Sequence, residues 1–336
     1  MKELVNIIIP AVKIDEEVLN CLEKIKKIKY KNFFVTLVLD VASKSKIQNF
    51  KYKINYLISG KINMSKKRNI AAKKYKSKYI AFIDSDAYPN RDWLEKAVKY
   101  LKQKKGEIVG GPGIPFPNQN YLEKICYYSK RSYYVTGYLN FRKYKASKRY
   151  CDWLESCNLI MEKSFFLKFG GMNPKLYTGE DKEFFERVRK KNPELKVFYS
   201  PDLYIYHRER EFVGFLLQRL CFGMDFINLI KLNSGLKGFQ PILPIFSLFC
   251  LLIILASKIE LIDKFTILGS IILIFNAFIF IDVTRYVKKL KTILLTLFTI
   301  NLVNLTFAFG GVLTLIGLKK FLLNNIYLFS RKRKKH

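Results

Sequence analysis

The sequence predicts an α/β domain with a parallel sheet, followed by a membrane-associated part. Short apolar runs alternate with segments of helical spacing in the first 90 residues, a rhythm typical of parallel sheets. Acidic residues follow several of these runs, at the strand ends where such sheets bind ligands. Beyond residue 237 the composition changes to long apolar segments. We therefore predict a first domain over residues 1–237 and membrane helices with a basic tail over residues 238–336.

Apolar spacing predicts the individual elements. Pro10 closes the first apolar run, and Asp40 follows the second. Between them, apolar residues recur at helical spacing behind Asp15, which can cap a helix. The predicted strands cover residues 5–10, 33–39, 54–58 and 79–83, and the predicted helices cover residues 15–29 and 66–76.

The fourth strand delivers Asp84 and Asp86 at its carboxyl end. Residues i and i+2 of an extended chain point to the same side, so the two carboxylates repel each other unless a cation or a proton lies between them. Mg²⁺ or Mn²⁺ suits oxygen ligands and keeps positions open for phosphate, which predicts a divalent metal as cofactor. The alternative is a solvated turn that caps a helix beginning near Trp93.

Charge and cysteine usage narrow the classes of partner. The formal net charge is +33, from 60 Lys and Arg against 27 Asp and Glu, so an anionic partner is expected. Because lysines are spread along the chain, membrane surface and phosphate ligands are favoured and no nucleic-acid partner is expected. The six cysteines form no C-x-x-C pair, and Cys250 lies in an apolar run, which argues against zinc and disulfides. The chain starts directly with a strand, so no signal peptide is expected.

Motifs in a fixed order resemble family 2 glycosyltransferases with a GT-A fold, a Rossmann-like domain that uses nucleotide-diphosphate sugars. The similarity covers roughly residues 4–225. It rests on Ile7–Pro10, Val38–Asp40 with Ser43, Lys67–Asn69, Asp84–Asp86, Asn158–Met161 with Phe169–Asn173, Gly179–Asp181 with Arg187, Tyr199–His207 and Gln218–Gly223. The resemblance implies a hexosyltransferase that inverts the anomeric carbon.

The chemistry of such a donor assigns roles to the acidic residues. A departing diphosphate builds negative charge that a cation neutralises, and Asp86 is the first choice of metal ligand. Asp84 would contact ribose or the metal's waters, Asp40 the base or ribose, and Arg68 the phosphate or base. The predicted donor-binding residues are Pro10, Asp40, Arg68, Asp84, Ser85 and Asp86.

The acceptor hydroxyl needs a general base, and Asp181 fits that role. The alternative is that Glu180 and Asp181 only favour the dipole of the helix that they open. Family resemblance implies that His207 is a further metal contact, although a lone histidine after an apolar stretch is also a common structural residue. The predicted acceptor-side or secondary residues are Trp153, Asn158, Glu180, Gln218 and Arg219.

Several acceptor-side predictions leave alternatives open. Trp153 either stacks on a sugar or fills the core. Gln218 and Arg219 lack the Arg-Trp pair of processive enzymes, which argues against polymer synthesis, and Arg219 can also snorkel at a membrane. Residues 121–150 mix tyrosines with Lys and Arg, and are either a solvated segment or an acceptor-binding flap at the membrane surface.

Three apolar runs approach the length of about twenty residues that spans a bilayer, at residues 241–257, 265–281 and 292–318. The loop after the second run carries Arg285, Lys288, Lys289 and Lys291, which predicts that it is cytoplasmic. The catalytic domain is then also cytoplasmic. The basic tail at 331–335 conflicts with a third crossing, and Gly310-Gly311 indicates either a re-entrant bend or close helix packing.

The sequence therefore predicts a multi-pass, cell-membrane glycosyltransferase whose partners are a nucleotide-sugar donor and a lipid-linked or membrane-proximal glycan acceptor. One alternative is a membrane-tethered phosphohydrolase with Asp84 as nucleophile and Asp86 as acid–base. Tyr88 and the late position of the motif count against it. The other is a non-enzymatic basic protein that binds membrane or nucleic acid, which leaves the strand-end carboxylates unexplained.

Overall fold

The structure is a computed structural model that describes residues 3–42, 50–176, 178–232, 253–254, 256–257 and 260–318. Predictions for Ser43, Cys250, most of the apolar run 241–257, the boundary between 237 and 238, and the tail 331–335 lie outside these residues. Contacts divide the chain into two compact units. Unit 1 comprises Met1–Pro117 and Phe141–Arg208, and unit 2 comprises Asn118–Asn140 and Glu209–His336.

Unit 1 is a mixed α/β fold with two sheets. Its strands are β1 (Val5–Pro10), β2 (Phe33–Leu39), β3 (Ile54–Ile58), β4 (Tyr79–Ile83), β5 (Ala87–Pro89), β6 (Ile108–Gly110), β7 (Gly113–Pro115), β8 (Arg149–Tyr150), β9 (Asn158–Glu162), β10 (Val197–Tyr199) and β11 (Ile205–His207). Its helices are α1 (Glu16–Ile25), α2 (Met64–Lys74), α3 (Trp93–Lys102), α6 (Lys163–Lys168) and α7 (Glu180–Lys191), with a 3₁₀ turn at Pro201–Leu203.

The larger sheet has the order β3-β2-β1-β4-β9-β6-β10-β8. Strands β1 to β4 are parallel, as predicted, whereas β9 runs antiparallel to both β4 and β6, which makes the sheet mixed. The smaller sheet has the order β5-β11-β7. Its central strand β11 carries His207 beside Ala87 of β5.

The predicted elements of the first 90 residues are confirmed, with helix ends shifted by a few residues. All residues of β1, β2 and β4 are buried, which explains their unbroken apolar runs. Helix α1 begins after Asp15, whose side chain accepts from the backbone N–H of Val18 at 3.1 Å. Its buried face includes Leu22, and burying a leucine side chain contributes about 2 kcal/mol. This core holds the strand ends that carry the acidic residues.

Unit 2 is helical in its described residues. It contains α4 (Tyr121–Arg131), α5 (Tyr133–Thr136), α8 (Phe212–Lys231), α9 (Leu261–Thr284) and α10 (Leu290–Leu315), and a 3₁₀ turn at Gly137–Lys143 begins at its border with unit 1. Helices α8, α9 and α10 are long and apolar enough to cross a membrane. Helices α9 and α10 cover the predicted runs 265–281 and 292–318, whereas α8 was not predicted as a membrane-length helix.

Helices α8 and α10 pack backbone to backbone. A Cβ on Gly223 would clash with the carbonyl of Phe307, and a Cβ on Gly310 would clash with the carbonyl of Leu220. Helix α10 runs without a break through Gly310 and Gly311, so these glycines serve close packing rather than a bend. Residues 220 and 310 meet, and Thr314 donates to the carbonyl of Met224 at 3.0 Å, so the two helices run parallel.

Candidate active site

The acidic residues meet at the carboxyl edge of the large sheet. Strands β2, β1 and β4 are neighbours, and Asp40 follows β2 while Asp84 and Asp86 follow β4. Pro10 is the buried last residue of β1 between them, and Ser85 lies in the half-buried turn between the two aspartates. The parallel order of the strands therefore brings together residues that are far apart in sequence.

Asp84, Asp86 and His207 form an open triad. Nε2 of His207 lies 3.8 Å from Oδ2 of Asp84 and 3.7 Å from Oδ1 of Asp86. Its Nδ1 lies 2.9 Å from the backbone carbonyl oxygen of Arg208, so a proton on Nδ1 would make that hydrogen bond. A neutral imidazole would then turn its Nε2 lone pair toward two carboxylates. A cation or a second ring proton is needed to balance this arrangement.

A divalent metal fits this triad. Mg²⁺ binds its ligands at about 2.1 Å, so two ligands of one ion lie at most about 4.2 Å apart. The separations of Nε2 from the two carboxylate oxygens, 3.7 and 3.8 Å, fall within that limit. Asp84, His207 and the thiol of Cys157 also place ligand atoms within 4.8 Å of one another. Burial raises the pKa of Cys157 well above its ordinary value. Sulfur is a soft ligand and suits a hard cation such as Mg²⁺ poorly.

Arg68 connects the triad to the proposed base region. Helix α2 begins after Asn63, and the Arg68 guanidinium is almost completely buried. Its Nη2 donates to Oδ1 of Asp84 at 2.7 Å, and its Nη1 donates to Oε1 of Glu180 at 3.2 Å. Burial alone would raise the pKa of Asp84, but Arg68, and then His207, hold that pKa well below its ordinary value.

Lys67 is a buried partner of Asp40 that sequence reasoning noted only as part of a motif. Its Nζ lies 2.6 Å from Oδ1 of Asp40 and also donates to the carbonyl of Ala11. Both side chains are excluded from solvent, so this contact fixes the position of the Asp40 carboxyl group. The adjacent Lys67 and Arg68 therefore hold acids from two different strand ends.

Glu180 and Asp181 open α7 and face Ser156. Oδ2 of Asp181 accepts from the Ser156 backbone N–H at 3.1 Å, and Oδ1 accepts from the Lys182 N–H at 2.8 Å. The Ser156 hydroxyl donates to Glu180 at 3.3 Å. Burial raises the pKa of Asp181, and burial followed by the charge of Asp181 raises the pKa of Glu180 to about 7. Favouring the helix dipole does not account for the bonds to Ser156 and Arg68.

Three charged residues beside this site, Arg142, Lys143 and Glu155, were not predicted as site residues from the sequence. Arg142 stacks its guanidinium 3.8 Å from the ring centre of Trp153, so the indole packs against a cation. Nζ of Lys143 lies 2.7 and 2.8 Å from the two oxygens of Glu155. Burial would raise the pKa of Glu155, but Lys143, and then Arg142, lower it to about 2. No motif or spacing marks these residues, because their contacts form only in the tertiary fold.

The acceptor-side roles of Asn158, Gln218 and Arg219 stay predictions. Asn158 is buried, accepts from the indole N–H of Trp93 at 2.8 Å, and donates to the carbonyls of Gly111 at 2.9 Å and Leu203 at 2.7 Å. These are the contacts of a structural residue. Gln218 and Arg219 belong to α8 in unit 2.

The α/β fold with acidic strand ends is that of GT-A glycosyltransferases. Residues 6–154 match the model of the family described as Glycosyl transferase family 2, which confirms the resemblance predicted from the motifs. The match and the fold together support a glycosyltransferase. None of the curated proteins matches the chain in sequence.

One solved structure shows the same fold, and two others were found with lower TM-scores. The mannosyltransferase PcManGT from Pyrobaculum calidifontis, solved in complex with GDP-Man and Mn²⁺, is 14% identical with a TM-score of 0.57; the match covers 93% of this chain and 88% of that one. S. aureus TarS 1-349 is 13% identical with a TM-score of 0.46 and coverages of 93% and 91%. The chain covers only 42% of the longer S. aureus TarS structure, at 15% identity, 79% coverage of this chain and a TM-score of 0.44.

Proposed function

We propose that the protein is an inverting, metal-dependent glycosyltransferase that moves a sugar from a nucleoside-diphosphate donor to a lipid-linked or membrane-proximal acceptor. The observation that carries this proposal is the position of Arg68 between Asp84 and Glu180. It links the strand-end acids, suited to a cation and a diphosphate, with the segment that holds the proposed base. An isolated Asp-x-Asp turn would have no such connection.

On the donor side, Asp84, Asp86 and His207 would hold the divalent metal. When bound, that ion would neutralise the charge that develops on the leaving diphosphate. Asp40 would accept hydrogen bonds from the base or ribose, while Lys67 holds it in place. Pro10 and Ser85 would line the nucleoside and phosphate side of the same strand ends. The solved complex of PcManGT with GDP-Man and Mn²⁺ supports a donor and a metal of this kind.

On the acceptor side, Asp181 would take the proton of the attacking hydroxyl. The N–H groups of Lys182 and Ser156 orient its carboxylate, and burial raises its pKa toward that of an effective base. The acceptor oxygen then bonds to the anomeric carbon as the bond to the diphosphate breaks on the opposite face. Trp153, held by Arg142, and Glu180 would line the acceptor side.

We further propose that unit 2 anchors the protein in the cell membrane and that the active site faces the cytoplasm. Three of its helices have the length and composition of membrane spans. Because α8 and α10 run parallel, the start of α8 and the loop before α10 lie at the same end of unit 2. That loop carries Arg285 and three lysines, and basic loops favour the cytoplasm.

A panel of nucleotide sugars with Mg²⁺ or Mn²⁺, read by nucleoside diphosphate release, tests the proposal. Asp181→Asn should abolish transfer while donor and metal still bind. Glu194→Gln, an exposed acid just after α7, is the matched control and should keep full activity. Retained turnover in Asp181→Asn would remove Asp181 from the base role. Phosphate release without a sugar donor would favour the phosphohydrolase instead.

A further inference from the structure

Arg219 is a buried cation without a counter-charge in the part of the chain that the structure describes. It lies in α8 and is only 9% exposed. Its Nε has no hydrogen-bond partner, and no described carboxylate lies within ion-pair distance of its guanidinium. An unpaired buried charge is strongly unfavourable, so such a group indicates an anion that the chain itself does not supply.

Glu209 and Asp282 are buried acids of unit 2, and each has a partner other than Arg219. Glu209 pairs with Lys130. Asp282 accepts from the Ser132 hydroxyl at 2.7 Å and from the Tyr133 N–H at 3.0 Å. These carboxylates join elements of unit 2 and are not available to Arg219. No ion pair among the described residues includes Arg219, so an anion from outside the protein would supply its counter-charge.

Aromatic rings and helix packing hold the Arg219 guanidinium in place. Its central carbon lies 5.6 Å from the ring centre of Phe222 and 5.2 Å from that of Phe307. Phe222 lies one turn along α8, and Phe307 comes from α10. The close contact of the two helices at Gly223 and Phe307 fixes this cage, because the backbones cannot move closer. A preformed, partly apolar cage suits a ligand that combines an anion with hydrocarbon.

The position of Arg219 along the axis of α8 also suits an amphiphilic ligand. It lies two turns into α8, about 10 Å along the axis from the start of the helix at Phe212. That start shares an end of unit 2 with the basic loop at Arg285. If α8 crosses a bilayer from this end, the guanidinium lies near the level where head groups meet hydrocarbon. Ionisable groups at such positions mark ligand sites in membrane proteins.

We propose that Arg219 binds the phosphate group of a lipid within unit 2. A guanidinium presents two parallel N–H donors that match phosphate oxygens, and it stays charged at any working pH. The inference deepens the lipid-linked acceptor of the proposed function and rests on it. The same phosphate chemistry occurs in a lipid-linked acceptor and in bulk phospholipid, and the experiment separates these two sources.

The test uses the full chain in a nonionic detergent without any sugar donor. Binding is measured for dodecyl phosphate, phosphatidylglycerol and inorganic phosphate. We expect dodecyl phosphate to bind and to raise the unfolding temperature. Arg219→Met should weaken this binding at least tenfold, and Arg285→Met, an exposed arginine of the same unit, should change it less than twofold. Stronger binding of dodecyl phosphate than of phosphatidylglycerol assigns the site to the lipid-linked acceptor. Equal binding of these two ligands assigns the site to bulk phospholipid.

Two results would overturn the inference. One is unchanged binding of dodecyl phosphate to Arg219→Met, and the other is equally strong binding of inorganic phosphate, which would remove the lipid from the site. Since an unpaired cation destabilises the ligand-free protein, Arg219→Met should unfold at the same or a higher temperature than wild type. If that variant does not fold, Arg219→Lys is used instead. It keeps the positive charge but lacks the two parallel N–H donors of the guanidinium, so it should bind dodecyl phosphate several-fold more weakly. Unchanged affinity there would also overturn the site.

Failure of this site and failure of the proposed function are distinguishable. A chain that binds dodecyl phosphate through Arg219 but turns over no nucleotide sugar would keep the lipid site and lose the transferase assignment. A chain that turns over a nucleotide sugar but binds dodecyl phosphate equally well without Arg219 would keep the transferase assignment and lose the lipid site.

Discussion

The buried guanidinium of Arg68 forms an ion pair of 2.7 Å with the partly exposed Asp84 at the carboxyl end of β4. The same guanidinium reaches Glu180 at the start of α7 with its other terminal nitrogen. One side chain from α2 therefore fixes two acids that are nearly a hundred residues apart in sequence. Its removal would leave both acids partly buried without a cation, which gives the first prediction.

Arg68→Gln should lower the unfolding temperature of the protein substantially. Removing one partner of a buried ion pair costs about 3–5 kcal/mol. For a domain of this size each kcal/mol shifts the midpoint by roughly 2–4 °C, so we expect a fall of about 10 °C. Arg68→Lys keeps the charge but can reach only one of the two acids and should lose less. Thermal unfolding of the purified chain followed by calorimetry measures both.

The matched control is Lys29→Gln. Lys29 and Asp92 form an ion pair of the same 2.7 Å length, but the Lys29 side chain is 55% exposed. Exposed pairs contribute about 0–1 kcal/mol, so this variant should unfold within a few degrees of wild type. Equal losses in the Arg68 and Lys29 variants would contradict the view that burial makes the Arg68 pair important.

Lys143→Met should make the stability of the protein less dependent on acid. Glu155 has a folded pKa of about 2 against an ordinary value of 4.5, so below pH 4.5 the unfolded chain takes up a proton that the folded protein does not. Wild type therefore loses roughly 3 kcal/mol of stability as the pH falls from about 5 to about 2. Without Lys143 the pKa of Glu155 rises, and this loss becomes smaller because only Arg142 and His207 still lower that pKa.

The measurement is the unfolding temperature of wild type and Lys143→Met at several pH values between 7 and 2. The two curves should be far apart at pH 7 and converge toward pH 2. Lys105→Met changes an exposed lysine of unit 1 and should follow wild type throughout. A constant separation between wild type and Lys143→Met would show that Lys143 acts by packing rather than through the charge of Glu155.

Metal variants separate the ligands of the triad from its buried neighbour. A chelator should abolish nucleoside diphosphate release, and added Mg²⁺ or Mn²⁺ should restore it. Asp86→Asn and His207→Ala should each raise the metal concentration for half-maximal rate at least about tenfold, since each loses one ligand. Cys157→Ala should leave that concentration unchanged, because a soft sulfur ligand suits a hard cation poorly. A matching rise in Cys157→Ala would make the thiol a ligand.

Local sequence pattern predicted the strands of the donor side and the acidic residues that follow them. The other site residues are brought together by tertiary contacts that the pattern does not show. The strands β1, β2 and β4 are buried along their whole length, so their apolar runs and the acids after them were visible in sequence. The sequence predicted Asp84 and Asp86 in an extended chain, whereas the structure places Ser85 and Asp86 in a turn after β4. Glu155 and Lys143 had no such signal, because a loop position carries no periodicity. The amide of Asn158 shows the opposite case, a motif residue that meets structural partners.

Polar residues in α8 hid its membrane length from sequence reasoning. Arg219 and Asp225 interrupt an otherwise apolar helix, and both are buried inside unit 2 rather than exposed on its surface. Burial within a bundle removes the penalty that a lipid-facing charge would carry, so composition alone underestimates such a helix. The parallel course of α8 and α10 likewise depends on contacts between glycines and carbonyls, which no run of apolar residues reveals.

The helix directions in unit 2 predict which ends share a side of the membrane. Helix α9 leads through a short loop into α10, so these two run antiparallel, whereas α8 runs parallel to α10. If all three cross, Lys231 at the end of α8 and Leu261 at the start of α9 lie on one side, opposite Arg285. Single cysteines at 231, 261 and 285, labelled with an impermeant maleimide in sealed vesicles and located by mass spectrometry, measure this. Labelling of 231 and 285 from the same side would contradict the arrangement.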